Sequence, residues 1–175
     1  MLQQPLSTEY ASSFSKYVDL VPQSDLYDHL QNQLEEVSQL TARLTDEQLM
    51  YRYDEGKWSL KEVLGHIIDA ERVFSYRLLR IARGDQTPLA GFNEEDYVEG
   101  SRYDQCPISD ILEEYEAVRR ATLSLARGLS DEAWFRLGYA NDCEISARAL
   151  LFLIAGHELH HLQIIRERYL PNNLA

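Results

Sequence analysis

The chain has 175 residues, 45% hydrophobic and 26% charged, the balance of one ordinary globular domain over 1–175. Its 17 Lys and Arg residues face 29 Asp and Glu residues, a net charge of −12. That charge argues against nucleic acid and against an anionic membrane surface as partners, since both demand surplus cations, and the apolar content argues against a disordered chain.

The first residues, Met1 to Leu6, lack the positive end and apolar stretch of a signal peptide. Cys106 and Cys143 form no CxxC pair, which predicts free thiols in a reducing compartment. Both features point to the cytoplasm. The longest apolar run, Ala149 to Ala155, is too short to span a bilayer.

The helical period dominates the chain. A first helix is expected from about Ser24 to Leu44, capped by Ser24 or Asp25, where Leu26, Leu30, Leu34, Val37 and Leu40 recur at three- and four-residue steps. A second runs from Leu60 to Arg83. Ser59 and Glu62 form a capping box before it, Gly84 stops it, and Arg80 and Arg83 suit its negative end. A third spans about Ser109 to Arg127, closed by Gly128, and a fourth runs from Ser146 to Tyr169, before Pro171. Thr45–Leu49 and Ser130–Phe135 read as extra helical turns, and no stretch reads as a convincing strand. Four amphipathic helices of this length predict an all-α four-helix bundle. The segment from Gly84 to Pro107 is too long for a simple hairpin and predicts a long crossover connection.

Three of the five histidines crowd into His157-Glu158-Leu159-His160-His161. At about 100° per residue, His157 and His161 lie about 40° apart on a helix. Leu150, Leu153 and Ile164 share that face, so two imidazoles point into an apolar stripe. Buried separately they would be costly, whereas imidazoles at i and i+4 can hold one cation. His160 lies to the other side of His157 and could ligate in place of His161, although it falls nearer the bundle edge. A zinc-like ion needs a third protein ligand. His66, at the border of the second helix's stripe, is the candidate, at a position suited to a pocket mouth. Nothing ties His29 to the cluster. Hydrogen-bonded core histidines in a metal-free interaction domain are the plain alternative.

The same residues match H-E-x-x-H, in which Glu158 would act as general base of a zinc protease. That pattern also requires a peptide cleft and a downstream third ligand. The 14 residues after His161 hold no His, Cys or Asp, and Glu167 is their sole acid. Asp69, Glu71 and Glu158 are candidates to orient the imidazoles. Trp58 could wall a pocket or simply pin its loop to the bundle.

The run from Glu55-Gly56-Lys57-Trp58 through Gly65-His66-Ile67-Ile68-Asp69-Ala70-Glu71-Arg72 resembles the second helix of the DinB-like superfamily. Ala155-Gly156-His157-Glu158-Leu159-His160-His161-Leu162-Gln163 resembles its last helix, and Glu9-Tyr10-Ala11 and Arg83-Gly84-Asp85 add to the likeness. The resemblance implies a four-helix bundle holding a divalent metal, commonly zinc or nickel, on His66, His157 and His161, and often a homodimer. It implies either metal-dependent hydrolysis or transfer of a low-molecular-weight thiol such as bacillithiol, acting on a small-molecule substrate. Glu158 would serve as general base or as an orienting residue behind the ligands. An open coordination position would mark an enzyme. A sphere closed by His160 or Glu158 would mark a binding or sensing module with a structural or vestigial metal.

Overall fold

A computed structural model describes residues 2–170. A 3-10 turn at Ser12–Phe14 leads into the short helix α1, Ser15–Val18. The long helix α2, Leu26–Thr41, starts where the Asp25 carboxylate accepts the N–H groups of Tyr27 and Asp28. One turn of helix, α3 (Asp46–Leu49), is capped by Thr45 and Gln48. The expected Ser59–Glu62 capping box opens α4, Leu60–Ala82. The long connection that follows carries α5, Glu94–Gly100, and a 3-10 turn at Tyr103–Gln105. Then come α6 (Ile108–Arg127), one-turn α7 (Asp131–Trp134), a hairpin, and α8, Ala147–Ile164. No helix among the described residues is long and apolar enough to cross a membrane.

The long helices form a four-helix bundle in which α4 packs against α6 and α8, and α2 packs against the same two. Consecutive long helices α2 and α4 therefore face each other across the core. The 18-residue link between them, which includes α3, is long enough to cross that diagonal.

Three expectations are corrected. A two-stranded antiparallel hairpin, β1 (Leu137–Ala140) and β2 (Cys143–Ser146), stands where no strand was expected. Its two-residue loop, Asn141-Asp142, has both residues in the left-handed region (φ 53° and 60°), the turn whose twist matches paired strands. At four residues each, the strands are too short for alternation to stand out. Gly138 lets β1 lie on α4, because a Cβ there would meet Ile81 Cγ1 at 2.7 Å. The first helix begins at Leu26 on Asp25, one of the two caps expected, and ends at Thr41 rather than Leu44. The fourth begins at Ala147, because Ser146 is its cap, accepting from the Ala149 N–H. It leaves α-helical geometry at Ile164, and Ile165–Tyr169 form one π-helical turn, with the Leu170 N–H bonded to the Ile165 carbonyl at 3.1 Å.

The apolar core is split in two. One half gathers the C-terminal part of α4 and the N-terminal part of α8, with residues such as Phe74, Leu78, Leu150 and Leu153. The other gathers the N-terminal part of α4 with Val37, Ile111, Leu162 and Ile165. Between them lies a polar layer built from all four long helices: Gln33, His66, Glu71, Arg119, His157 and Glu158, all buried. Buried charge is tolerable only when paired and hydrogen-bonded, which is why these residues share one level.

Candidate metal centre

Helix α4 contributes His66 and α8 contributes His157 and His161. The Nε2 atom of His157 lies 3.0 Å from that of His66 and 3.1 Å from that of His161. One ligating nitrogen from each ring falls within 4.8 Å of the other two. His66 and His157 are buried, and His161 is the outermost. His66 therefore sits deeper than a residue at a pocket mouth, covered by Trp58, whose ring centroid is 4.8 Å from its own. Tyr17 and Phe74 meet the His157 ring edge-on at 5.4 and 5.9 Å.

Burial pushes His66 down to about 4 from its usual pKa. Burial, then the charges of His66, His160 and Lys16, brings His161 to about 3, and burial drives His157 well below the usual range. All three imidazoles are therefore neutral at neutral pH, with lone pairs available to a cation.

The other candidates take different places. His160 is half-buried, stacks edge-on against Tyr17 and His161, and stands outside the trio. Glu158 is buried, with one carboxylate oxygen accepting the Tyr115 hydroxyl at 2.5 Å and the other accepting from Arg119. Glu71 receives Arg119 at 2.8–3.1 Å. Asp69 accepts the Tyr103 hydroxyl at 3.2 Å, away from the imidazoles. Trp58 does both things expected of it. Its carbonyl accepts the Tyr169 hydroxyl at 2.8 Å, and the residue lines a cavity. His29 lies apart from the trio, and its buried Nε2 has no hydrogen-bond partner among the described residues. The H-E-x-x-H protease pattern finds no support here: its glutamate is engaged by Arg119, and the third imidazole comes from upstream, on α4.

Arg119 was not singled out in the sequence. Its guanidinium ties both carboxylates to the Leu30 carbonyl (2.8 Å) and the Gln33 side chain (3.2 Å), while Gln33 donates to the Ala155 carbonyl at 3.2 Å. The signal was available, because Arg119 follows Tyr115 by four residues and precedes Thr122 by three, on the apolar stripe of α6.

A cavity of about 210 Å³ opens beside His161. Tyr53, Trp58, Val63, Ile164 and Tyr169 wall it, and Lys57 and Glu95 also line it. A larger groove of about 1080 Å³ between α2 and α6 is lined by Asp28, Glu35 and Glu113 and touches none of the three imidazoles.

The DinB superfamily model matches residues 29–165. Among curated relatives, a protein of Oceanobacillus iheyensis bearing the name "Putative metal-dependent hydrolase" is 25% identical over 155 residues, 83% of this chain and 88% of its own. One of the same name from Bacillus pumilus is 27% identical over 143 residues, 78% of this chain and 81% of its own. Among solved structures, YfiT from Bacillus subtilis, described as "a probable metal-dependent hydrolase with an unusual four-helix bundle topology", superposes with a TM-score of 0.70. That match covers 94% of this chain and 90% of YfiT at 21% identity.

Proposed function

Because the chain belongs to the DinB superfamily, we propose that it is a metal-dependent hydrolase whose divalent ion is held by His66, His157 and His161. The observation that carries this reading is the convergence of three Nε2 atoms from two helices on one point. Ligand nitrogens in a tetrahedral zinc site stand about 3.3 Å apart, given Zn–N bonds of about 2.0–2.1 Å. The observed 3.0 and 3.1 Å need only a few tenths of an ångström of expansion to fit. The donor set is chemically apt as well, since neutral imidazoles suit zinc and nickel alike. When bound in such a set, the ion supplies Lewis acidity that makes a coordinated water or thiol nucleophilic near neutral pH.

The chain's own residues supply the rest. Burial holds the imidazoles neutral, and Trp58, Tyr17 and Phe74 fix the ring orientations by edge and face contacts. His161 faces the cavity, which makes that side the approach for substrate. With both carboxylate oxygens engaged, Glu158 serves by anchoring α8 at the level of His157, the orienting one of its two expected roles. The curated relatives' names favour hydrolysis over thiol transfer.

The test begins with metal analysis of protein purified without an affinity tag. We expect about one equivalent of divalent metal, lost in His157→Ala and retained in His160→Ala. Chelator-sensitive hydrolysis of ester or amide substrates would complete the assignment. Unchanged stoichiometry in His157→Ala would overturn the ligand set, and turnover found only with added thiols would replace hydrolysis by transfer.

A further inference from the structure

Three aromatic side chains, Tyr53, Trp58 and Tyr169, wall the cavity beside His161, together with Val63 and Ile164. These walls are tied to one another. The Tyr169 hydroxyl donates to the Trp58 carbonyl at 2.8 Å, and the Tyr51 and Tyr53 rings meet the Tyr169 ring edge-on at 6.3 and 5.2 Å. A preformed pocket loses little binding free energy to ordering. Two of the lining residues also belong to the imidazole cluster. The Trp58 ring lies against that of His66 at 4.8 Å, and the His161 Nε2 is 3.1 Å from that of His157. A ligand that fills the cavity therefore ends beside the three imidazoles.

Size and surface decide what fills it. The volume is about 210 Å³. That is below the range of about 300–1,000 Å³ found for drug-sized ligands. It exceeds the roughly 150 Å³ in which an apolar protein cavity holds benzene. One ring with a short substituent fits between these limits. Aromatic walls favour a flat ring, which packs against them edge-on or offset. The charged residues of the lining, Lys57 and Glu95, are exposed and of opposite sign, so the lining prefers neither sign. A charged body would give up hydration there without a matched partner.

We propose that the substrate is a small neutral molecule with a single flat aromatic ring, which seats among Tyr53, Trp58 and Tyr169 and carries its ester or amide group directly on the ring, at the His161 end of the cavity. The inference rests on the hydrolase reading above and names the substrate class of that same site. Tyr53, Tyr169 and Ile164 are then specificity-determining residues: they set the size and flatness of what enters and leave the metal ligands to the other face of His161.

Binding can be read without turnover. The full-length protein, metal-free and separately loaded with zinc, is titrated with benzamide, cyclohexanecarboxamide and acetamide, followed by nitrogen-15 NMR. The chain has two indole signals, and Trp134 lies in the other half of the core, so a shift confined to Trp58 marks the cavity. Benzamide is expected to bind about tenfold or more tighter than acetamide, because it buries a ring that acetamide lacks. Cyclohexanecarboxamide, of similar size but not flat, should bind several-fold more weakly than benzamide. Ile164→Trp, at a half-buried position, should fill the cavity and abolish benzamide binding while zinc stays at one equivalent. Tyr53→Ala, in a loop, should weaken benzamide several-fold and keeps the test open if Ile164→Trp does not fold. Equal affinity for benzamide and acetamide, or benzamide binding unmoved by the folded variants, would overturn the proposal while leaving the metal site standing. Benzamide held at Trp58 by a protein that takes up no zinc at the three histidines would instead overturn the hydrolase reading, and the substrate assignment with it.

Discussion

Arg119→Leu is the sharpest test of the polar layer. The substitution removes a fully buried guanidinium that donates to Glu71, Glu158, Gln33 and the Leu30 carbonyl. Two buried carboxylates would lose their shared counter-ion. Removing one partner of a buried ion pair costs about 3–5 kcal/mol. At about 2–4 °C per kcal/mol for a domain of this size, the melting temperature should fall by about 6–20 °C. The two stranded carboxylates can also answer by taking up protons, so the deficit should be larger at pH 8 than at pH 5. Replacing the whole group, as in Glu71→Leu/Arg119→Met/Glu158→Leu, should recover most of the loss, since a buried ionic triad exchanged for apolar side chains is often neutral or stabilising. Thermal melts followed by far-ultraviolet circular dichroism at the two pH values read all three effects. A melting temperature within about 2 °C of the parent, less than 1 kcal/mol here, would show that Arg119 is not what neutralises the layer.

Two further outcomes are expected. Gly156→Ala would place a Cβ 2.0 Å from the Tyr17 carbonyl oxygen, so α1 must shift off α8. We expect about 1–3 kcal/mol of destabilisation from overpacking, and an unchanged urea midpoint would contradict that close contact. The metal-free protein should lose stability as pH falls. With His66 near 4 in the folded chain and near 6.5 in the unfolded one, its contribution is intact above pH 6.5 and is lost as pH drops from there toward 4. At pH 5 that amounts to about 2 kcal/mol from His66 alone, at about 1.4 kcal/mol per pH unit. Urea midpoints at pH 7 and pH 5 in the presence of chelator measure it, and a midpoint that stays put or rises would refute the neutral assignment.

The bundle was legible because its signals are local and repeated. Ser59 and Glu62 announce α4, Asp25 opens α2, and the three- and four-residue recurrence of leucine and isoleucine carries both helices. The imidazole trio was legible in part for the same reason: His157 and His161 are neighbours on a single helix, and phase alone puts them together. His66 was legible as the third candidate from its place at the border of the second helix's stripe, and the resemblance named it again, but its depth was not, since nothing local says how closely α4 approaches α8. The packing of α1 lay beyond reach of periodicity, because the helix is one turn long and its position depends on Gly156 allowing close contact with Tyr17. The hairpin was hidden by brevity, although the Asn141-Asp142 doublet is a turn signal. Glu71, Arg119 and Gln33 each interrupt an apolar stripe at the same level of the bundle. Taken one helix at a time they look like ordinary substitutions in a core face, and only their coincidence across helices makes them a layer.

The π-helical turn at Ile165–Tyr169 separates two things that a straight helix would have joined. Upstream of it the helical phase fixes the imidazoles; downstream a different phase presents Tyr169 to the Trp58 carbonyl and to the cavity. Such a bulge amounts to one surplus residue in the winding. Deleting a single residue between Ile165 and Arg168 would rewind the end and swing the tyrosine away, leaving His157 and His161 untouched. Chain length at this spot is thus a dial for the size of the chamber, one that natural variation can turn without disturbing the ligand triad.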